Sequence, residues 1–152
     1  MSLPEALREA LRVKELDDTV AYLTTAALDG VPNVSLQPFT DVEGDYVLLP
    51  DLFAQKTKVN LNENLRGALT IASPSALAGW VLEGPAGVIQ WGHPPSYRFH
   101  DLRAGAVLER WGDWEQREPI QSLPEALRPA VIAQRGVIVL KVERVLRPGG
   151  EP

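Results

Sequence analysis

The stretch Gly79-Trp80-Val81-Leu82-Glu83-Gly84-Pro85-Ala86-Gly87-Val88-Ile89-Gln90-Trp91 decides the fold. Apolar residues typical of a β-strand lie on both sides of Gly84-Pro85. A glycine and a proline inside a strand mark a bulge or a bend, such as the corner of a barrel. The stretch therefore predicts one long strand that bends in its middle and continues.

Five shorter strands are predicted around this long one. Turns at Asp29-Gly30 and Glu43-Gly44 separate the first three of them. The five predicted strands run from Thr19 to Ala27, Pro32 to Thr40, Asp45 to Leu49, Leu65 to Ala72 and Val137 to Val145. Six strands with few helices predict a mainly β fold, an antiparallel barrel with accessory helices, because closure removes exposed strand edges.

Helices are predicted at three places in the chain. Ser2 and Glu5 form a capping box before a helix over residues 3–15. A second helix follows Gln55, and residues 95–134 are predicted to be helical with Pro129 as a break. At 152 residues the chain fits one domain, with the barrel at 19–91 and the last strand at 137–145.

Composition excludes several classes of function. A formal net charge of -5 argues against a surface for nucleic acid or anionic lipid. The sequence has no run of 18 apolar residues, so no membrane span is predicted. The chain has no cysteine, which excludes thiol chemistry and fits a reducing cytoplasm. His93 and His100 are seven residues apart, which is poor spacing for metal ligands, so no metal site is predicted.

The segment from Pro50 to Asn64 carries the chemistry. Between Lys14 and Arg66 the only cations are Lys56 and Lys58, and they fall where a strand and a loop lead into a helix. Free backbone N–H groups and the positive end of the helix dipole favour an anion there. Lys56 would add a full charge and Thr57 a hydroxyl. Without a glycine-rich loop, this pattern favours a single phosphate over a triphosphate.

Here the sequence resembles the FMN-binding split β-barrels related to pyridoxamine 5′-phosphate oxidase, close to the small stand-alone FMN-binding proteins. The resemblance covers roughly residues 16–91. It rests on Lys56-Thr57-x-x-Asn60-Leu61-x-x-Asn64 after the strand that ends at Pro50, with Asp29-Gly30-x-Pro32 opening the second strand. The fold implied is a six-stranded antiparallel split barrel that forms a homodimer with FMN at its interface.

The resemblance also implies the residues that contact FMN. Lys56 and Thr57 would hold the phosphate, with Gln55 where relatives often have arginine. The second strand and the end of the third would lie along the ribityl chain and the ring, through Asn33, Val34, Ser35, Leu36, Gln37, Leu49, Pro50, Asp51 and Leu52. We expect Trp80 or Trp91 to approach the flavin from the other subunit, whereas core or interface packing is the commoner role of a tryptophan.

One departure from the oxidases bears on activity. Their Arg-Gln-Val-Arg-type run is replaced by Ala78-Gly79-Trp80-Val81-Leu82 ahead of Glu83-Gly84, and no arginine-rich substrate segment follows at the end of the chain. The resemblance therefore implies flavin binding without vitamin B6 oxidation.

The predicted function is electron or hydride transfer by bound FMN, with a small-molecule redox partner or substrate and with no catalytic side chain evident. One alternative is an oxidase or reductase acting on another small conjugated substrate. Others are a non-catalytic flavin or haem carrier on the same barrel, and a barrel used only for dimeric assembly.

Overall fold

The computed structural model describes residues 5, 8, 19–37, 40–52, 55–75, 78–90, 99, 102–130 and 136–147. Glu5 and Arg8 are helical, and the rest of the predicted helix over residues 3–15 lies outside the described residues. Trp91, His93, His100 and the two ends of the predicted helical region also lie outside them.

Antiparallel strands dominate the described part of the chain. They are β1 (Val20–Ala26), β2 (Pro32–Gln37), β3 (Asp41–Glu43), β4 (Tyr46–Pro50), β5 (Arg66–Ser73), β6 (Ala78–Ile89), β7 (Val137–Lys141) and β8 (Arg144–Leu146). Their order in the sheet is β2-β1-β5-β6-β7-β4-β3, with β8 beside β6. The helices are α1 (Gln55–Glu63), α2 (Ala104–Leu108), α3 (Arg110–Trp114) and α4 (Glu118–Gln121). The predicted mainly β fold with accessory helices is confirmed.

The bend in β6 joins two parts of the sheet, as the sequence predicts. Up to Pro85 the strand pairs with β5, and from Ala86 it pairs with β7. A Cβ atom on Gly84 would overlap the carbonyl oxygen of Lys141 and lie 3.2 Å from the backbone nitrogen of Glu143. Gly84 is therefore required by the close approach of two backbones at the corner.

The strand count and the closure differ from the prediction. Eight strands are described instead of six, because β3 follows β2 as a separate short strand and the predicted last strand is divided into β7 and β8. No backbone ladder joins β2 to β3 in the described part of the sheet, so the sheet is open there. Helix α1 packs against β1, β2 and β6. Protection of the strand edges does not require closure, because a helix can cover an edge as well as another strand can.

Two hydrophobic cores lie on opposite faces of β4 and β7. Val47, Leu49, Ile138 and Leu140 belong to the inner core, together with Leu61 of α1. Alternate residues of the same strands join the outer core under α2 to α4, namely Tyr46, Leu48, Val137 and Val139. This alternation follows from the two-residue period of a strand, and both strands are apolar, apart from Lys141 at the end of β7, because both of their faces are buried.

The region between β6 and β7 covers the outer core. Trp111 and Trp114 are fully buried there, with ring centroids 5.4 Å apart, which confirms the expectation of core packing. Trp114 donates from Nε1 to Asp41 Oδ2 at 2.7 Å, and Arg117 pairs with the other oxygen of Asp41 at 3.3 Å. These contacts fix α3 to β3. No helix in the described ranges is long and apolar enough to span a membrane.

Candidate functional site

A ladder of polar side chains joins β2 to the first turn of α1. Asn33 Nδ2 donates to Thr57 Oγ1 at 3.1 Å, and Thr57 Oγ1 donates to Ser35 Oγ at 3.3 Å. Gln37 Nε2 also donates to Ser35 Oγ at 3.3 Å, and Ser35 Oγ donates to the carbonyl of Leu23 at 3.5 Å. The structure thus brings together four of the side chains that the sequence assigned to one site.

The ladder exists because β2 alternates between two environments. Asn33, Ser35 and Gln37 share one face of the strand, and Thr57 meets them from the helix. Gln37 is 5% exposed, and its Oε1 has no hydrogen-bond partner among the described residues. A buried amide oxygen without a partner is costly, so it marks a place where a ligand N–H would be accepted.

The start of α1 is the place where the sequence predicts an anion site. Gln55 and Lys56 are its first two residues, and their side chains lie outside what the structure describes. The first turn has no acidic residue, so its free N–H groups and the positive end of its dipole are not offset from within the turn. Thr57 is fully buried, and its hydroxyl is engaged in the ladder.

Asn60 ties the same helix to β1. Its Nδ2 donates to Thr25 Oγ1 at 3.2 Å, and both side chains are buried. Asn60 lies one turn beyond Thr57, so both polar side chains face the sheet while Leu61 enters the inner core. The sequence analysis assigned Asn60 no contact, although its spacing from Thr57 was the available signal.

Lys58 is engaged in an ion pair with Asp51. The distance from Lys58 Nζ to Asp51 Oδ2 is 3.1 Å, with Asp51 fully buried and the lysine side chain 17% exposed. From the sequence, Lys58 and Lys56 are predicted together as the cations of the helix start. In the structure, Lys58 is instead paired with the carboxylate of Asp51. The signal missed was an acidic residue seven positions earlier, at the end of a strand that faces the same helix.

The end of β4 lies beneath the site rather than on the surface of the chain. Leu49 contributes its side chain to the inner core, and Pro50 pairs with Val137 of β7. Asp51 donates its backbone N–H to the carbonyl of Gly136 at 3.0 Å, and Leu52 packs against the outer core. Contact between these four residues and a flavin remains a prediction.

The other face of β2 is apolar and exposed. Val34 is 59% and Leu36 is 64% exposed, and Tyr22 on β1, directly opposite Leu36, is 38% exposed. The five β2 residues assigned to the flavin therefore divide between the polar ladder and this patch, which we call the β1–β2 apolar patch. Two of its residues, Val34 and Leu36, are more than half exposed.

Trp80 lies on β6, which is separated from β2 by β1 and β5 in the sheet. It packs partly buried against the inner core, and the guanidinium of Arg147 lies 5.5 Å from its ring centroid. Its pairing partner on β5 is Ile71, near the end of the sheet remote from Gly84. The expected contact of Trp80 with a flavin of the other subunit remains a prediction, and Trp91 lies outside the described residues.

The site matches what a flavin mononucleotide needs. Its phosphate suits the uncompensated first turn of α1, and the hydroxyls and amides of the ladder suit a polyhydroxyl chain and a polar ring edge. The orphaned Gln37 Oε1 is an acceptor for a ring N–H. No group of three or more side chains of the types that bind metals is found in the described ranges.

Known proteins match the chain over most of its length. A sequence profile described as pyridoxamine 5′-phosphate oxidase matches residues 3–147. The chain belongs to the pyridoxamine 5′-phosphate oxidase family. The uncharacterized protein MJ0282 of Methanocaldococcus jannaschii is 41% identical over 136 residues, which are 88% of this chain and 75% of that protein.

Solved structures agree on the fold of this family. HupZ of Group A Streptococcus has a TM-score of 0.63 at 15% identity, covering 93% of this chain and 92% of that one. An FMN-binding protein from Syntrophomonas wolfei has a TM-score of 0.58 at 14% identity, covering 95% and 87%. At such identities the likeness shows the fold alone, and the resemblance seen in the sequence is confirmed at that level.

Proposed function

We propose that this protein binds FMN non-covalently and acts as an oxidoreductase in electron or hydride transfer. The observation that carries the proposal is the ladder from Asn33 through Thr57 and Ser35 to Gln37, beside a helix start without an acidic residue. Membership of the pyridoxamine 5′-phosphate oxidase family supports it, and the similar Syntrophomonas wolfei protein is described as FMN-binding.

Each residue of the site has a distinct task in this proposal. Lys56 and the N–H groups of the first turn of α1 bind the phosphate, while Thr57 holds that turn against β2. Gln37 accepts a hydrogen bond from the ring and orients it. The flavin, when bound, supplies the redox chemistry, and the protein supplies binding, orientation and a local field.

The family's oxidase activity on vitamin B6 is not part of the proposal. Glu83 remains at the position of the Glu-Gly pair, but its carboxylate is 2.9 Å from Arg144 Nη1 on β8. Residues 78–82 place no cation or amide on the strand before it. The substrate we propose is therefore another small redox partner, in a cytoplasm whose reducing conditions suit a chain without cysteine.

Flavin binding is tested by the visible spectrum of the purified protein and by fluorescence titration with FMN. Lys56→Ala should weaken FMN binding by roughly tenfold or more, because a charge-assisted phosphate contact is lost. Lys141→Ala is the matched control, since Lys141 lies over the ring of Tyr46 at the opposite end of β4. A wild-type protein that is colourless and takes up no added FMN would refute the proposal.

Stopped-flow reduction of the FMN-loaded protein distinguishes an oxidoreductase from a non-catalytic flavin carrier. Rapid bleaching by NADH or NADPH supports the oxidoreductase, whereas a bound flavin that neither donor reduces favours the carrier. Uptake of haem in place of FMN, followed by its absorption band, would favour the haem-binding alternative on the same barrel.

We further propose that the protein is a homodimer with FMN at its interface, as the family resemblance implies. The β1–β2 apolar patch supports this, because β2 carries it on one face and the polar ladder on the other. Leu36→Glu should shift the protein towards monomer in analytical ultracentrifugation, while Leu127→Glu, at an exposed leucine outside the patch, should not. Equal sedimentation of wild type and Leu36→Glu would contradict this interface.

A further inference from the structure

We propose that Lys58 and Asp51 form a positioning pair that sets the start of α1 for phosphate binding, and that Lys58 is not itself a phosphate ligand. The inference rests on the proposed FMN site and gives Asp51 and Lys58 a positioning role in place of direct contact with the ligand. The two residues enclose Lys56 and Thr57 between them in the chain. Their ion pair therefore joins the residues on either side of the segment that would bind the phosphate.

Asp51 is held by its backbone hydrogen bond to Gly136 and by its ion pair with Lys58. Its backbone N–H donates to Gly136 just before β7, and a Cβ atom on Gly136 would come within 2.8 Å of Asp51 Oδ2. Trp111 Nε1 donates to the same Gly136 carbonyl at 3.1 Å, which links the outer core to this point. The carboxylate is thus held where β4 ends and β7 begins, and Lys58 brings α1 to it.

Because Asp51 is buried, loss of its ion pair with Lys58 should displace the neighbouring chain. Asp51 is fully buried, Lys58 is the cation that lies on it among the described residues, and neither carboxylate oxygen has a hydrogen-bond partner there. A buried carboxylate that loses its cation is strongly destabilised in place, so it leaves the interior and carries the adjoining chain with it. That chain is residues 52–57, the approach to the first turn of α1.

A lysine held by a buried carboxylate is poorly suited to bind a ligand phosphate. Its charge is already compensated at 3.1 Å, and reaching a phosphate would require leaving Asp51 buried and unpaired. The two lysines at the start of the helix therefore have different roles. Lys58 anchors the helix, and Lys56 is left as the cation for the ligand.

The test compares FMN with riboflavin, which lacks the phosphate, in fluorescence titrations of four variants. Lys58→Met, Asp51→Asn, the double variant and Lys58→Arg are measured against wild type. Arg66→Gln is the control, because it breaks the exposed pair of Arg66 with Glu143, whose contact distance is a similar 3.3 Å. A positioning role predicts a roughly tenfold loss of FMN affinity in each single neutral variant, no further loss in the double variant, and recovery in Lys58→Arg.

Riboflavin distinguishes positioning from general destabilisation. If the pair sets the phosphate end of the site, riboflavin affinity should fall by less than about threefold in the same variants, whereas loss of fold lowers both affinities alike. Tighter FMN binding by Asp51→Asn would overturn the proposal, because it would mean that Asp51 withholds Lys58 from the ligand. Unchanged FMN binding in Lys58→Met would overturn it as well.

A further variant tests the proposal in case those at Lys58 or Asp51 fail to fold. Gly136→Ala keeps every charge but crowds Asp51 Oδ2, so it should reproduce the selective loss of FMN affinity. Full FMN affinity in a folded Gly136→Ala protein would contradict the positioning role. A wild-type protein that binds neither flavin would instead refute the proposed function itself, which keeps the two failures distinct.

Discussion

Replacing Gly84 by alanine should destabilise the whole fold, since the corner of β6 has no room for a methyl group. The new Cβ would overlap the carbonyl oxygen of Lys141 and lie 3.1 Å from its carbonyl carbon and 3.2 Å from Glu143 N. All three atoms are backbone, so no side-chain rotation can relieve the contact. Either β6 or the β7–β8 connection must move.

The size of the effect follows from what that movement breaks. Glu143 donates its backbone N–H to the Glu83 carbonyl at 2.9 Å, and β8 pairs with β6 beside it. Overpacking alone costs about 1–3 kcal/mol. Loss of a backbone hydrogen bond adds about 1 kcal/mol. We therefore expect the free energy of unfolding to fall by about 2–4 kcal/mol, which is roughly 4–16 °C in Tm for a domain of this size.

Urea unfolding followed by far-UV circular dichroism measures this change. Gly112→Ala is the matched control, because Gly112 lies in α3 with no atom within 4 Å of a new Cβ. Alanine is the better helix former, so the control should be neutral or up to about 1 kcal/mol more stable. If Gly84→Ala unfolds at the same urea concentration as wild type, the backbones at the corner are not in the close contact described.

Two further substitutions test the ladder and the outer core. Thr57→Val keeps the shape of the side chain but removes the hydroxyl that bonds Asn33 and Ser35, so stability should fall by about 1–3 kcal/mol in thermal unfolding. FMN affinity should fall with it, and retention of both would contradict the role of the ladder. Trp114→Phe removes the hydrogen bond to the Asp41 carboxylate and should cost about 1.5–3 kcal/mol in urea unfolding. An unchanged midpoint would mean that the bond to Asp41 does not hold α3 in place.

Local signals made much of the fold predictable. The turns at Gly30 and Gly44 are confirmed by positive φ angles of 87° and 62°, which glycine adopts without strain. The bend of β6 was readable because Gly84-Pro85 interrupts an otherwise continuous strand. The helix after β4 was readable from the change of pattern at Gln55.

Contacts between distant parts of the chain were not predictable in the same way. Nothing local to β7 indicates that it lies between β6 and β4, because strand order depends on which apolar faces meet across the whole chain. Over residues 102–130 the predicted helical region is divided into the short helices α2 to α4, and Pro119 in the first turn of α4 disfavours continuation of a helix from the residues before it.

The same contrast between local signals and long-range contacts applies to the candidate site. The segment after Pro50 predicted the helix start correctly, and only the family resemblance grouped Ser35 and Gln37 of β2 with Thr57. The partner of Lys58 could not be read, because an ion pair between a loop and a helix depends on how the loop folds back. The sequence thus predicted the helix start that carries the proposed site, but not that Lys58 is already paired with Asp51.

The position of β7 has a consequence for synthesis of the protein. Because β7 comes late in the chain and yet lies between β4 and β6, a growing polypeptide must expose two unpaired edges until residue 141 leaves the ribosome. Those edges belong to apolar strands, and unpaired apolar edges promote aggregation. Release of a chain ending before Gly136 should therefore give an insoluble product, and chaperone demand during translation should persist until the last strands emerge.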